Sequence, residues 1–194
     1  MTQTADTPAE SITYHLDAED RIVWVSPDWG RFAGANDAAE LADTAAVIGK
    51  AIWPFIDGLT ERSLYHQLFD QVRQGGKPIR IPLRCDSPTH RRYLELQIDP
   101  LDDAGGLAIG SHTHRIEPRP TVVLLDRRTI RSQMVVDICS FCLRIRSGND
   151  WIEADEAVRS MRLFGDGPAP QLSHGVCPDC LPELYRRLDI PPAL

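Results

Sequence analysis

The sequences Cys139-Ser-Phe-Cys142 and Cys177-Pro-Asp-Cys180 are two CxxC motifs separated by 34 residues. A CxxC turn holds two sulfur atoms about one metal ion's width apart. Two such turns supply four thiolates, which is a complete tetrahedral shell for Zn²⁺. The pair of motifs therefore predicts a structural zinc site in which distant parts of the chain converge.

Other interpretations of these cysteines stay open at this point. They are a thiol–disulfide redox pair, an iron–sulfur site, or two buried CxxC turns without a metal. His174, three residues before the second motif, is an alternative ligand. With four thiolates present, its preferred role is to orient or hydrogen-bond a sulfur atom. Four thiolates leave no open position for a catalytic water, so no catalytic residue is assigned.

Size and charge limit the function classes. The chain has 194 residues, 42% of them hydrophobic, and a formal net charge of −7. This length suits one domain or two small ones, and the cysteines near one end favour two. An acidic chain lacks the basic surface that nucleic-acid binding needs. No apolar run approaches the roughly 20 residues of a membrane span.

Cysteine use and the N-terminus indicate the compartment. Four of the five cysteines fall in the metal-like group, which is typical of a reducing cytoplasm rather than of a secreted disulfide scaffold. Residues 1–10 have neither a basic flank nor an apolar core. They are predicted to be a disordered lead-in and not a secretory signal. We therefore expect a cytoplasmic protein with no membrane partner.

The first part of the chain predicts an α+β domain. Apolar alternation at 11–16 and 21–26 predicts a hairpin, and a helix is expected at 61–73 with His66 opposite its apolar face. Three more strands are expected at 77–85, 91–98 and 107–114. Together they predict an antiparallel sheet with helices on one face. Pro82 makes the third strand an edge strand, and Cys85, on the side of its aliphatic residues, is interpreted as a small buried hydrophobe.

These segments resemble a PAS domain, a five-stranded sensor and interaction module. The similarity lies in Arg21–Trp29, Phe32–Gly34, Gly49–Ile56, Val72–Ile79 and Leu94–Leu101. The resemblance implies a PAS-like domain over 11–117, with the third strand at a sheet edge. The candidate pocket residues, for which core packing is the other interpretation, are Trp29, Phe32, Trp53, Phe55 and Leu68. The ligand is unknown, and neither haem nor flavin is indicated.

The remaining residues predict a second, zinc-stabilised α+β module. Residues 118–133 are interpreted as a linker, 134–189 as the four-cysteine module and 190–194 as a tail. Within the module, a strand at 134–138 leads into the first CxxC, and helices are expected at 153–163 and from Pro182 to Leu188. The order of its motifs resembles a small module attached to PAS and receiver domains of bacterial signalling proteins. The matching residues are Cys139–Cys142, Ile145-Arg146, Trp151, Glu153–Val158 and Ser173–Cys180.

Together these observations predict a non-enzymatic cytoplasmic signalling protein. Its PAS domain would sense a small molecule or a partner, and the zinc module would support protein–protein interaction, with a homodimer as one form of output. The alternative function is a thiol-based redox switch, in which oxidation of the zinc-bound thiolates releases the metal.

Overall fold

The structure is a computed structural model that describes residues 11–35, 38–56, 59–126, 128–165 and 167–188. The predicted lead-in at 1–10 and the predicted tail at 190–194 lie outside these residues. None of the helices in the described ranges is long and apolar enough to cross a membrane.

The first sheet has five antiparallel strands in the order β2-β1-β5-β4-β3. Its strands are β1 (Ser11–Leu16), β2 (Ile22–Val25), β3 (Ile79–Arg84), β4 (His90–Pro100) and β5 (Leu107–Pro118). The predicted α+β class and the five-stranded antiparallel sheet are confirmed. Among the described residues, strand β3 pairs with β4 alone, so Pro82 lies on an edge strand, where its missing N–H removes no ladder bond.

Two helices and three short 3₁₀ helices accompany this sheet. The α-helices are α1 (Trp29–Ala35) and α2 (Leu59–Gly75), and the 3₁₀ helices are Ala39–Leu41, Thr44–Ala46 and Trp53–Phe55. Two of the 3₁₀ turns lie close together between α1 and Trp53. The second begins where the Asp43 side chain accepts a hydrogen bond from the Ala45 amide, which is a local alternative to a continuous helix.

Helix α2 supplies the main apolar surface against the sheet. Leu68, Phe69 and Val72 are at most 1% exposed, as the 3.6-residue period of its apolar residues predicts. They belong to one cluster with buried side chains of all five sheet strands. These strand residues are Leu16, Ile22, Ile79, Ile81, Leu96, Ile98, Leu107 and Ile109.

The second sheet has four strands in the order β8-β7-β6-β9. Its elements are β6 (Arg131–Cys139), β7 (Ile145–Ser147), β8 (Asp150–Ile152), α3 (Ala154–Ser160), β9 (Ala169–Gly175) and α4 (Leu181–Arg187). Strands β6 and β9 are parallel, with Cys139 opposite Gly175. Because parallel strands end at the same edge of a sheet, the two CxxC motifs that follow them meet there.

Part of the segment between the sheets is buried. Val122 and Leu124 are at most 2% exposed and belong to the core of the second sheet. The Arg119 side chain is 1% exposed. The division into domains at 118–133 stays a prediction. A hydrophobic cluster nevertheless joins the two parts, since Cys139, Phe141, Cys177, Leu184 and Leu188 share the cluster of the first sheet.

Candidate metal centre

The four cysteines of the CxxC motifs form one compact group. The sulfur atoms of Cys139, Cys142, Cys177 and Cys180 all lie within 4.8 Å of one another. The Cys142 and Cys177 sulfurs, which belong to different motifs, are 3.6 Å apart. A tetrahedral site with Zn–S bonds of roughly 2.3 Å has sulfur–sulfur edges of roughly 3.8 Å. The donor set and its spacing therefore fit a tetrahedral thiolate metal site.

Backbone hydrogen bonds shape both turns. The Leu143 amide donates to the Cys139 carbonyl at 2.9 Å, and the Cys180 and Leu181 amides both donate to the Cys177 carbonyl at 3.1 Å. Leu143 adopts φ +57°, a left-handed conformation that a residue other than glycine takes up at a cost. The turn after the first motif is thus held in an uncommon conformation that directs the chain into β7.

Burial divides the four cysteines into two kinds. Cys139 and Cys177 are fully buried, whereas Cys142 and Cys180 are partly exposed. The Cys177 amide lies 3.4 Å from the Cys139 sulfur and donates to it. Each motif therefore contributes one inner sulfur and one outer sulfur.

The thiols strongly affect one another's protonation. A hydrogen bond from the Cys142 thiol lowers the pKa of Cys139 to about 4. The same bond, together with burial, raises the pKa of Cys142. Burial and the negative charge of Cys139 raise the pKa of Cys180 to about 12. Without a metal the group holds negative charge on Cys139, and a bound cation would allow the thiols of Cys142 and Cys180 to lose their protons.

His174 is not a member of the four-sulfur group. Its Nδ1 atom lies 3.0 Å from Oε1 of Glu61 on α2. The same oxygen accepts a hydrogen bond from the hydroxyl of Ser140, which lies inside the first CxxC. The hydrogen bonds to His174 and Ser140 outweigh burial and lower the pKa of Glu61. Glu61 was missed in the sequence, where it is an ordinary acidic residue in the first turn of a helix.

The cysteine-bearing turn is attached to the edge of the first sheet. The Arg84 amide at the end of β3 donates to the Phe141 carbonyl at 2.8 Å. The Arg84 side chain, which strand alternation places away from the aliphatic face, is only 9% exposed because it binds Glu153 and Asp86. Burial lowers the pKa of Arg84, but the hydrogen bonds to these carboxylates outweigh it and raise the pKa.

Two further arginines extend this ionic network. Arg119 binds Asp86 at 2.8 Å and Asp155 at 2.9 Å, and Arg91 binds Asp155 at 3.1 Å. The Asp86 side chain is fully buried and that of Arg119 is 1% exposed. Hydrogen bonds and the two arginines outweigh burial and lower the pKa of Asp155. The network joins the first sheet to α3 of the second.

The expected pocket residues take part in packing interactions. The Trp29 indole N–H donates to the Leu41 carbonyl at 2.7 Å. Trp53 stacks on the exposed His66 ring with centroids 3.6 Å apart. Leu68 is 1% exposed, Trp29 and Phe55 are half-buried against the same cluster, and Phe32 is half-buried in α1. Their role in ligand binding stays a prediction.

Cavities occur at other places in the structure. One of 420 Å³ lies beside Arg73 and the loop at 100–107. One of 440 Å³ separates α2 from α4. A third, of 190 Å³, adjoins Cys180, Phe141 and Pro82. None of the three is lined by the expected pocket residues.

The exposure of Cys85 contradicts one interpretation of the sequence. It was expected to be buried with the aliphatic residues of β3, but it is exposed. Strand β3 ends at Arg84, so the alternation that placed Cys85 on the inner face no longer applies. Cys85 also lies outside the four-sulfur group.

No family model matches the sequence, and no curated protein matches it. Among solved structures, the crystal structure of the PAS domain of an HTR-like protein from Haloarcula marismortui is similar to 58% of this chain and 84% of that chain. The sequence identity is 17% and the TM-score is 0.32. The α+β assignment therefore depends on the strands and helices described above.

Proposed function

We propose that the protein is a non-enzymatic cytoplasmic signalling protein of the bacterial PAS type. Its five-stranded domain senses a small molecule or a partner, and its four-cysteine module binds a structural Zn²⁺ ion and supports protein–protein interaction. The observation that supports this most is the four-sulfur group, which lies within 4.8 Å and shares a hydrophobic cluster with the first sheet.

The donor set favours a structural metal. Four thiolates occupy all positions of a tetrahedral zinc ion, and a catalytic zinc keeps one position for water. Two of the module's four strands have three residues and its two helices have seven residues each, so its own apolar core is small. Metal binding would supply stability that such a core lacks. The output would then be contact with a partner protein or a change of oligomer, including a homodimer.

Elemental analysis of protein purified without added metal tests the zinc site directly. We expect one zinc per chain in the wild-type protein and none when Cys177 is replaced by serine. Native mass spectrometry of the same sample reports any retained small molecule, and light scattering reports the oligomer. Wild-type protein that contains no metal as purified, and whose melting temperature does not change when Zn²⁺ is added, would overturn the proposed site.

A second candidate function is a thiol-based redox switch. It is favoured by the partly exposed Cys142, whose sulfur lies 3.6 Å from that of Cys177. Hydrogen peroxide would oxidise one thiolate to a sulfenic acid. The hydroxide that leaves the peroxide takes up a proton and becomes water. The second thiol would then attack the sulfur of the sulfenic acid, which releases a second water and forms the disulfide. Two thiols and one peroxide thus give one disulfide and two waters, and the metal is released.

Zinc release separates the two functions. The switch predicts stoichiometric zinc release under mild peroxide and recovery of zinc binding after reduction. The structural role predicts that zinc stays bound under the same conditions. Peptide mapping of the oxidised protein would show whether Cys142 and Cys177 form the disulfide.

A further inference from the structure

Glu61 is a largely buried carboxylate at the start of α2. Its side chain is 13% exposed, and both described side-chain contacts converge on one oxygen. Oε1 accepts a hydrogen bond from Ser140 and lies 3.0 Å from Nδ1 of His174. The other oxygen, Oε2, is buried and makes no hydrogen bond within the described residues. Such a group is costly to bury unless its partners are held in place.

The two partners belong to the two halves of the metal centre. Ser140 is the second residue of the first CxxC, and His174 lies on β9, three residues before Cys177. The Ser140 amide also donates to the Gly175 carbonyl at 2.9 Å, which ties the first motif to the end of β9. Glu61 therefore contacts both segments whose relative position sets the distances between the four sulfurs.

The same helix reaches the opposite end of the first sheet. Arg73 lies twelve residues after Glu61, which corresponds to about 18 Å along a helix. Its guanidinium binds Asp20 at 2.7 Å and the carbonyls of Asp17 and Gly105 at 3.0 and 2.9 Å. Between these ends, Leu68 and Phe69 are part of the core. A change at Glu61 thus acts on α2, the helix that packs across the first sheet.

We propose that Glu61 is a positioning residue that couples metal occupancy of the four-cysteine site to the order of α2. The inference rests on the proposed zinc site and adds a direction of regulation: loss of the metal loosens α2 and with it the core of the first sheet. Zinc holds the Ser140 and His174 segments together, and this pair holds the Glu61 carboxylate. Without the metal, the segments separate and Glu61 loses its partners.

Coupling between two sites is reciprocal. If zinc stabilises the ordered α2, then contacts that stabilise α2 must strengthen zinc binding by the same factor. Residues that orient metal ligands from outside the ligand shell typically change metal affinity roughly 10- to 100-fold when they are replaced. This range is the expected effect of removing the Glu61 charge.

The first measurement is zinc affinity by competition with a chromophoric chelator. We expect Glu61→Gln to weaken Zn²⁺ binding roughly 10- to 100-fold. Asp70→Asn is the matched control, since it removes one negative charge from an exposed position of the same helix, and we expect no change. Ser140→Ala removes only the hydroxyl contact, and it serves as the test if Glu61→Gln does not fold. Equal affinities of all variants and the wild type would overturn the proposal.

The second measurement is hydrogen exchange of the α2 amides, with zinc bound and after chelation. In the wild type, chelation is expected to accelerate exchange in α2 as well as around the cysteines. In Glu61→Gln the acceleration in α2 should be small. A purely structural role would instead raise α2 exchange equally with and without zinc, and this result would overturn the proposal.

The two proposals fail in different ways. Wild-type protein that binds no Zn²⁺ would overturn the zinc site and the coupling together. Zinc binding that leaves α2 exchange unchanged on chelation, while residues 138–145 lose protection, would overturn only the coupling.

Discussion

The Nη1 atom of Arg84 donates hydrogen bonds to both carboxylate oxygens of Glu153, at 2.9 and 3.0 Å. The two residues lie 69 positions apart, one at the end of the edge strand β3 and the other immediately before α3. Together with Arg119 and Asp155 they form an ionic network between the two sheets. The covered end of β3 explains why an arginine is buried on an edge strand.

Replacing Arg119 by alanine should cost the protein roughly 3–5 kcal/mol of unfolding free energy. The Asp86 side chain is fully buried and binds both Arg119, at 2.8 Å, and Arg84. Removing Arg119 leaves this buried carboxylate with Arg84 and takes a cation from Asp155 as well, and loss of a member of a buried ionic network is strongly destabilising. Denaturant unfolding followed by circular dichroism measures this loss. Arg31→Ala is the control, since its ion pair with Asp28 is 75% and 58% exposed. A loss below about 1 kcal/mol, as for exposed pairs, would contradict this prediction.

The sequence predicts the parts of the structure that depend on local patterns. The strands of the first sheet, α2 and the two CxxC turns each have a short-range signature in apolar period or residue spacing. Ser11–Leu16 is found at the expected bounds. The edge position of β3 follows from Pro82 alone. These features need no knowledge of which segments meet.

The contacts between the two sheets could not be predicted in this way. Glu61, Arg84 and Glu153 are charged residues, and nothing in their sequence neighbourhoods distinguishes them from solvated side chains. His174 was expected beside a sulfur atom, and its contact with Glu61 was not predicted. Their burial arises only when the second sheet covers the end of β3 and the start of α2. Cys85 shows the opposite error. It was predicted to be buried because the alternation of β3 was extended one residue beyond the end of the strand.

Loss of one ligand should destabilise both sheets together. Cys177→Ser removes a fully buried sulfur, and we expect loss of zinc binding and a lower melting temperature. Binding to the folded state contributes roughly 4 kcal/mol when free zinc exceeds Kd 1,000-fold. Calorimetry should show a single unfolding transition at a lower temperature for both sheets, because Cys139, Cys177 and the sheet residues share one hydrophobic cluster.

Cys85→Ser is the matched control for this variant. Cys85 is exposed and lies outside the four-sulfur group, so its replacement should leave zinc content and melting temperature unchanged. A chelator-treated wild type that melts at the same temperature as the zinc-bound protein would show that the metal does not stabilise the fold.

Zinc affinity should rise with pH. Burial and the charge of Cys139 raise the pKa of Cys180 to about 12, and the pKa of Cys142 is raised by its hydrogen bond to Cys139. Both thiols are therefore protonated at neutral pH without the metal, and zinc must displace their protons. Cys139, with its pKa lowered to about 4, is already a thiolate and releases none.

Two displaced protons give a steep dependence on pH. Each released proton changes the binding constant tenfold per pH unit, so two give roughly 100-fold per pH unit and about 10,000-fold between about pH 5.5 and 7.5. Chelator competition at several pH values measures this slope, and calorimetry in buffers of different ionisation enthalpy counts the protons directly. Cys85→Ser should show the wild-type slope, since Cys85 binds no metal in this arrangement. An affinity independent of pH would mean that the four thiols do not bind the ion as thiolates, because thiolate ligation at neutral pH requires those protons to leave.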